Sequence, residues 1–235
     1  MSGLERQIDF SEDFSQPLTE PKRVYELIKR VQDTVLAATA LVLLGPIWLL
    51  IAFLVKATTP GPAIYRQRNV GRYGRQITLY KFRTMYANSD DAIHRRAVAR
   101  FVKGEAEETI EQNGQNVKVY KMTQDPRITP IGRFMRKSGL DEIPQLFNVV
   151  KGELSLVGPR APLLYEYAHY SERHKKRLEV MPGITGLWQV TARSMVPFEQ
   201  MVDIDLDYAN RRSYWLDLKI MLLTPYVLIT GKGAY

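Results

Sequence analysis

From Thr34 to Val55 the chain runs for 22 residues without a charge. Roughly 20 apolar residues suffice for a helix to cross a hydrocarbon core, so this run predicts a membrane segment rather than a buried soluble helix. Gly45-Pro46 interrupts it near the midpoint. A proline there removes a backbone hydrogen bond and kinks the helix. Basic residues flank the run on both sides: Lys22, Arg23, Lys29 and Arg30 before it, Lys56, Arg66, Arg68, Arg72 and Arg75 after it. A spanning helix shows its positive excess on the cytoplasmic side only. Symmetric basic flanks around a central break favour a re-entrant segment over a spanning one, with the charges against anionic headgroups.

The polar and apolar rhythm of the remainder predicts alternating short elements. Thr58 to Pro62 is turn chemistry. Residues 63–70 and 75–84 read as strands of a β-hairpin around Gly71 to Gly74. Lys81 and Arg83 would share one face of the second strand, with Phe82 on the other. Residues 87–101 read as a helix, 104–118 as a polar exposed loop, 125–130 as a turn and 131–137 as a basic helix. Ile143, Leu146, Phe147 and Val150 follow the i, i+3, i+4, i+7 spacing of one helical face. A short strand over 154–160 ends at Gly158-Pro159, so Arg160 projects from a stiff corner. Residues 162–180 read as one amphipathic helix and 181–193 as a Gly-rich loop, a strand and then Arg193. Two more helices follow, over 197–211 and 215–230. The expected fold class is α+β, mainly helical.

The 235 residues carry a net charge of +8, which points to a polyanionic partner: nucleic acid, anionic lipid or a phosphorylated substrate. With no cysteine, disulfides and thiolate metal sites are excluded. The first twenty residues are polar and acidic, so they read as a mobile tail and not as a secretory leader. Asp203, Asp205 and Asp207 alternate like a calcium loop, but Tyr208 stands where that loop needs glycine, and solvated helix charge is expected instead. His94, His169 and His174 lack ligand spacing. The basic run Arg173 to Arg177 fits a solvated face or lipid phosphate. There is no phosphate-binding glycine loop and no nucleic-acid-binding module.

Asp141 and Glu142 stand out against this background. They precede an apolar helical face, with Pro144 suited to a first helical turn. A helix N-terminus carries partial positive charge, which keeps carboxylates ionised and attracts phosphate. Arg136 and Lys137 add fixed charge just upstream. Taken alone, the pair reads first as an ordinary helix cap.

Several stretches in order resemble the bacterial sugar transferases, the small monotopic phosphoglycosyl transferases that start lipid-linked glycan assembly. They are Tyr65-Arg-Gln-x-x-Val-Gly71, Tyr80 to Met85, Asp125 to Arg133, Leu140 to Leu146, Lys151 to Arg160, Pro182 to Val190 and Trp215 to Ile220. The family's Ser-Pro helix break is Gly45-Pro46 here, and its Pro-Arg-Pro corner is Pro159-Arg160-Ala161. The retained arginine predicts a retained anion contact. No functional role is assigned to the charged stretch 90–118.

The resemblance implies transfer of a sugar-1-phosphate from a UDP-sugar to polyprenol (undecaprenyl) phosphate, leaving UMP. Asp141 would be the nucleophile of a covalent phosphosugar intermediate, with Glu142 as its helper. Lys81, Arg136, Arg160 and Arg193 would bind substrate phosphates. Asp217 is a nucleotide-contact or structural candidate. Mg2+ is the expected cofactor, with Asp141 or Glu142 as its carboxylate contact. The expected organisation is a tail over 1–20, a basic lead-in and re-entrant helix broken at Gly45 and Pro46 over 21–58, and a cytosolic catalytic domain with interfacial amphipathic helices over 59–235. Location at the cytosolic face of the bacterial inner membrane follows from the resemblance, as does a first membrane step of exopolysaccharide, O-antigen or glycoconjugate assembly. Membrane lipids are expected partners, nucleic acid is not, and a homodimer is compatible. The alternative is a non-catalytic, membrane-anchored basic protein that binds nucleic acid or anionic lipid. It explains the charge and the apolar run but gives no reason for the acid pair and its arginines.

Overall fold

A computed structural model describes residues 22–230, apart from 88, 91, 107, 113–114 and 121–124. The tail expected over 1–20 lies outside the described residues. The fold is mainly helical, with three two-stranded sheets among the described residues.

Helix α1 (Arg23–Leu43) and helix α2 (Gly45–Thr58) meet at a bend of 63°. No single described helix is long and apolar enough to cross a membrane; these two meet the length and composition test only as a bent pair. The cause of the bend is Pro46, which cannot donate to the turn behind it and whose ring crowds that turn's carbonyl. Gly45 is surrounded by open space, so nothing steric requires glycine there. The ladder resumes at once, with the Trp48 amide donating to the Leu44 carbonyl at 2.8 Å.

The basic lead-in is not separate from the apolar run; it is the first half of α1. That half is pinned to the rest of the fold. Arg30 donates to the carbonyls of Val149 and Val150. Ser155 donates to the buried Asp33 at 2.6 Å. Beyond it, Val42, Leu43, Leu49, Leu50 and Phe53 are each more than half exposed.

Strands β1 (Ile64–Val70) and β2 (Gln76–Phe82) form the expected antiparallel hairpin, with Ile64 opposite Phe82 and Val70 opposite Gln76. Phe82 packs with Ile51, Val55, Met135 and Ile143, which joins the hairpin to α2. Lys81 is on the opposite face. Helix α3 (Ala92–Val102) starts later than the spacing predicted, because the Asp90 carboxylate caps the Ala92 amide at 2.9 Å. The supposed loop over 104–118 contains a second antiparallel hairpin, β3 (Glu108–Gln112) with β4 (Gln115–Val119). Its polar composition hid it, since strand signals rest on apolar alternation.

Helix α4 (Pro130–Ser138) is capped by Thr129, whose hydroxyl accepts from the Gly132 amide at 2.9 Å. It ends at Gly139, which takes the left-handed conformation with φ 73°. A 3-10 turn (Leu140–Gln145) follows and runs into α5 (Leu146–Lys151). The predicted α-helical face therefore slips out of phase, since 3-10 winding takes three residues per turn. Asn148 and Val149 turn inward, and Phe147 is left 46% exposed.

Strand β5 (Ser155–Val157) pairs in parallel with β6 (Gly183–Thr185). The single amphipathic helix expected over 162–180 is instead α6 (Leu164–Tyr167), α7 (Glu172–Lys175) and a 3-10 turn (Lys176–Leu178). Ser171 restarts the winding by capping His174. This stretch is core and not an interfacial helix: Leu164, Tyr167, Tyr170 and Leu178 are buried with Trp188, Phe198 and Met201. Where a strand was expected after Gly186, helix α8 (Leu187–Thr191) forms. Helices α9 (Phe198–Arg211) and α10 (Tyr214–Thr230) match expectation. On α9, Asp205 is fully buried against Arg177 at 3.1 Å, which corrects its reading as solvated charge.

Candidate active site

Six of the charged residues singled out in the sequence line one cleft of about 520 Å³: Lys81, Arg136, Asp141, Glu142, Arg160 and Arg193. They come from five separate segments. Thr185, Trp188 and Gln189 form one wall, and Thr224, Val227 and Leu228 of α10 form another.

Asp141 and Glu142 occupy the first turn of the 3-10 segment, six residues of it preceding α5 proper. The expected helix N-terminus is thus a 3-10 entrance to a helix, set by Gly139. Asp141 is buried at 8% exposure. Burial, then the neighbouring Glu142 charge, push its carboxyl up to about 6; Lys81 and Arg136 pull the other way. Glu142 accepts from Lys81 Nζ at 2.7 Å.

Arg136 is aimed by its support. Its Nε donates to the Thr84 hydroxyl at 2.9 Å. Helix α4 reaches Thr84 only because Gly132 has no side chain: a Cβ there would lie 2.1 Å from the Thr84 carbonyl oxygen. Arg160 stands on a corner built from glycines. The Gly158 amide donates to the Thr185 carbonyl at 2.8 Å, and the Gly183 amide to the Pro159 carbonyl at 2.9 Å. Ala161, at the departure from the family's proline, is buried and its carbonyl accepts from Asn69 at 2.9 Å.

Three residues support Arg160 from behind, a role no sequence pattern marked. Glu166 lies 3.3 Å from the Arg160 guanidinium. Burial raises its carboxyl, but Arg160, the Tyr170 hydroxyl and Arg177 outweigh burial and leave it below the usual carboxylate range. Arg177 is fully buried, donates to the Arg160 carbonyl at 2.6 Å and pairs with Asp205. No spacing rule separates Arg177 from the rest of its basic run; only the contact does. The other members of that run mostly pair with acids, Arg173 with Glu199 and Asp203, His174 with Glu199, and Lys175 with Glu172.

Arg193 follows α8 in a turn (Arg193–Met195) with φ 46°. A left-handed backbone at a side-chain-bearing residue costs roughly 1–3 kcal/mol and persists only where surroundings impose it. Asp217 is not among the cleft residues. It is buried elsewhere, accepting from Tyr25 at 2.6 Å, Lys29 at 2.7 Å and Tyr208 at 2.7 Å. Among its two sequence roles, the surroundings are those of a structural acid.

Among the described residues, no group of three or more His, Cys, Asp and Glu side chains gathers to hold a metal. Magnesium does not need one, since it is habitually held by one or two carboxylates with phosphate oxygens and water. The adjacent carboxylates of Asp141 and Glu142 fit that donor set. Burial and the adjacent Glu142 charge outweigh Lys81 and Arg136 at Asp141, and a cation held by the two carboxylates would relieve that repulsion.

The family model for bacterial sugar transferases matches residues 24–231. The chain belongs to that family. It is 43% identical over 175 residues to galactosyl transferase CpsE of Streptococcus agalactiae, covering 74% of this chain and 36% of that protein. It is 35% identical over 220 residues to the UDP-glucose:undecaprenyl-phosphate glucose-1-phosphate transferase of Escherichia coli, covering 90% and 42%. It is 35% identical over 207 residues to exopolysaccharide production protein ExoY of Sinorhizobium fredii, covering 88% of each. The chain therefore spans well under half of the two longer relatives. In this bacterial sugar transferase the family motifs converge: residues 80–85, 140–146, 151–160 and 182–190 each place a side chain on the cleft.

Proposed function

We propose that this protein transfers a sugar-1-phosphate from a UDP-sugar to polyprenol phosphate, with Asp141 as the covalent carrier. The observation that carries the reading is the gathering of a buried, adjacent acid pair with Lys81 and three arginines in one cleft.

The chemistry follows from charge. Attack by one anion on another requires neutralisation, and phosphoryl transfer is catalysed mainly by positioning and electrostatics. Arg136, Arg160, Arg193 and Lys81 supply the positive wall. An Asp141 carboxylate oxygen attacks the phosphorus that bears the sugar; the phosphoanhydride bond breaks and UMP leaves with its electron pair. The phosphosugar is then an acyl phosphate on Asp141. A polyprenol phosphate oxygen attacks the same phosphorus, the acyl phosphate bond breaks, and Asp141 is released as carboxylate. The products are polyprenyl-diphosphate-sugar and UMP. Glu142, held by Lys81, orients Asp141 or shares the cation; magnesium, when bound, would neutralise phosphate charge beside the two carboxylates.

One substrate dissolves in water and the other in lipid, so the cleft belongs at an interface. The exposed apolar surface of α1 and α2 around the 63° bend supports re-entrant insertion at the cytosolic face of the inner membrane. Leu222, Tyr226 and Ile229 on α10, the helix that walls the cleft, are exposed apolar side chains as well. The relatives named for galactose and for glucose leave the sugar open, and the placement in exopolysaccharide, O-antigen or glycoconjugate assembly is part of the same proposal.

UMP release from a panel of UDP-sugars, with undecaprenyl phosphate and magnesium, tests the reaction. Turnover that is lost in Asp141→Asn is expected; near-native turnover in that variant overturns the nucleophile. Radiolabelled phosphosugar should remain on the wild-type protein after a quench without acceptor, and its absence indicates direct displacement. The chain has no cysteine, so Ser11→Cys gives a unique label. Labelling from outside intact cells refutes the re-entrant path.

A further inference from the structure

The excursion from Asp90 to Tyr120 is unexplained by the reaction, yet its far end closes on the turn that carries Arg193. Arg127 donates to the Asp90 carbonyl and so ties the start of the excursion to the segment after it. At the end of α3, Phe101 stacks edge-on against Phe198, with ring centroids 5.4 Å apart. Val102 packs into the same apolar cluster. After β4, the Tyr120 amide donates to the Ser194 carbonyl at 3.0 Å, and the Tyr120 ring joins that cluster. Ala192 and Val196, which bracket the Arg193 turn, belong to it as well. Ser194 itself is buried. The excursion thus shares one hydrogen bond and one apolar cluster with the turn, where Arg193 holds its φ of 46°.

We propose that the α3–β3–β4 excursion is a brace that fixes Arg193 over the cleft, with Tyr120 as its positioning residue. The proposal rests on the cleft being the site of phosphosugar transfer. A left-handed backbone at a residue with a side chain relaxes when its neighbours let go. Relaxation would move the guanidinium off the phosphate, and a misplacement of about 1 Å can cost on the order of a hundredfold in rate. Tyr120 is the member of the brace that reaches the Arg193 turn directly. The α3 end also meets α6 through His94 and Arg95 against Tyr165, so the test is placed on Tyr120.

A double-mutant cycle tests this. Tyr120→Ala should lower kcat/KM for UMP release by about tenfold or more, while Tyr120→Phe, which keeps the ring, stays near wild type. In an Arg193→Ala background, Tyr120→Ala should change the residual rate less than about twofold. Equal losses in both backgrounds overturn the proposal, because the brace would then act elsewhere. Hydrogen exchange followed by mass spectrometry gives a readout independent of turnover. In Tyr120→Ala the amides over 192–196 should lose protection while those over 140–150 keep theirs. Unchanged protection over 192–196, or its loss with no effect on kcat/KM, also overturns the proposal. A wild-type protein that releases UMP from no UDP-sugar sinks the functional reading alone, and hydrogen exchange then decides the brace.

Discussion

Two buried aspartates of this protein have similar exposure and opposite surroundings. Asp217 is 4% exposed and its oxygens accept from two phenols and an ammonium, all within 2.7 Å. Burial, first, and then the Asp217 charge, push the Tyr25 hydroxyl far up, so it stays a donor. Asp141 is 8% exposed and has a second carboxylate as its neighbour. One acid is saturated with donors and ties α1 to α9 and α10. The other is buried beside a second carboxylate and faces an open cleft. Burial alone does not mark a reactive group; burial without compensation does.

The contrast breaks most sharply if each acid is removed in turn. Asp141→Asn should cut UMP release by at least about a thousandfold, read in a coupled assay, with a melting temperature no lower than wild type. Asp217→Ala should do the reverse. Lys29 would keep only the longer pair with Asp33 at 3.6 Å, and the two phenols would lose their acceptor. The loss of up to about 3–5 kcal/mol is read as an early thermal melt, while the protein that remains folded keeps most of its turnover. Equal activity losses in the two variants would make the distinction worthless.

Lys81→Ala should lower kcat/KM by about ten- to a hundredfold, since it removes one cation of the cleft and the partner of Glu142. It should also raise the Asp141 carboxyl further, because Lys81 is one of the groups that lower it. The titration of Asp141 is the finest test. In metal-free protein its carboxyl should titrate near 6, followed by isotope-edited infrared spectroscopy, and magnesium should lower that value if the acid pair holds the ion. A folded-state value raised above the ordinary 3.8 makes a stability contribution that is full at lower pH and lost as pH rises through about 6. The melting-temperature gap between Asp141→Asn and wild type should therefore open between about pH 4 and 6 and stay open above. A gap that closes with rising pH would show that Asp141 is compensated after all.

The elements legible in the sequence were those with one strong local signal. The β1–β2 hairpin shows alternation around a Gly-bounded turn, and the bend at Pro46 follows from a missing amide. The basic helix read over 131–137 lies within a residue of α4 at either end. Where elements were misjudged, the local signal was outvoted by packing. The β3–β4 hairpin has too little apolar alternation to be read. Residues 162–180 keep a helical rhythm, yet the chain restarts at Ser171 so that Tyr170 and Leu178 reach the core. The 3-10 winding at Leu140 shifted the phase of every residue after it, which is why Phe147 ended outward.

The candidate cleft was more legible than the fold around it. Lys81, Arg136, Asp141, Glu142, Arg160 and Arg193 were all named from the chain, because the ordered family motifs turned what reads locally as a helix cap and scattered basic residues into one phosphate site. The support behind them was not legible. Glu166, Arg177 and Asp205 look like surface charge in a basic and acidic helical stretch. Only burial and mutual contact reveal that they hold Arg160.

By itself the sequence determined the kind of chemistry and the kind of surface: an acid pair among arginines, and a broken apolar run with basic flanks. Those are properties of residue type and local spacing, and they survive without coordinates. The tertiary structure alone decided which charges are spent on each other and which are left facing the cleft. Asp141 and Asp217 are the same side chain, and the local sequence marks Asp141 by the adjacent Glu142 but shows nothing of the donors that saturate Asp217. Their difference lies in partners up to 192 residues away along the chain, since the field at a buried carboxylate is set by what the fold brings to within a few ångströms.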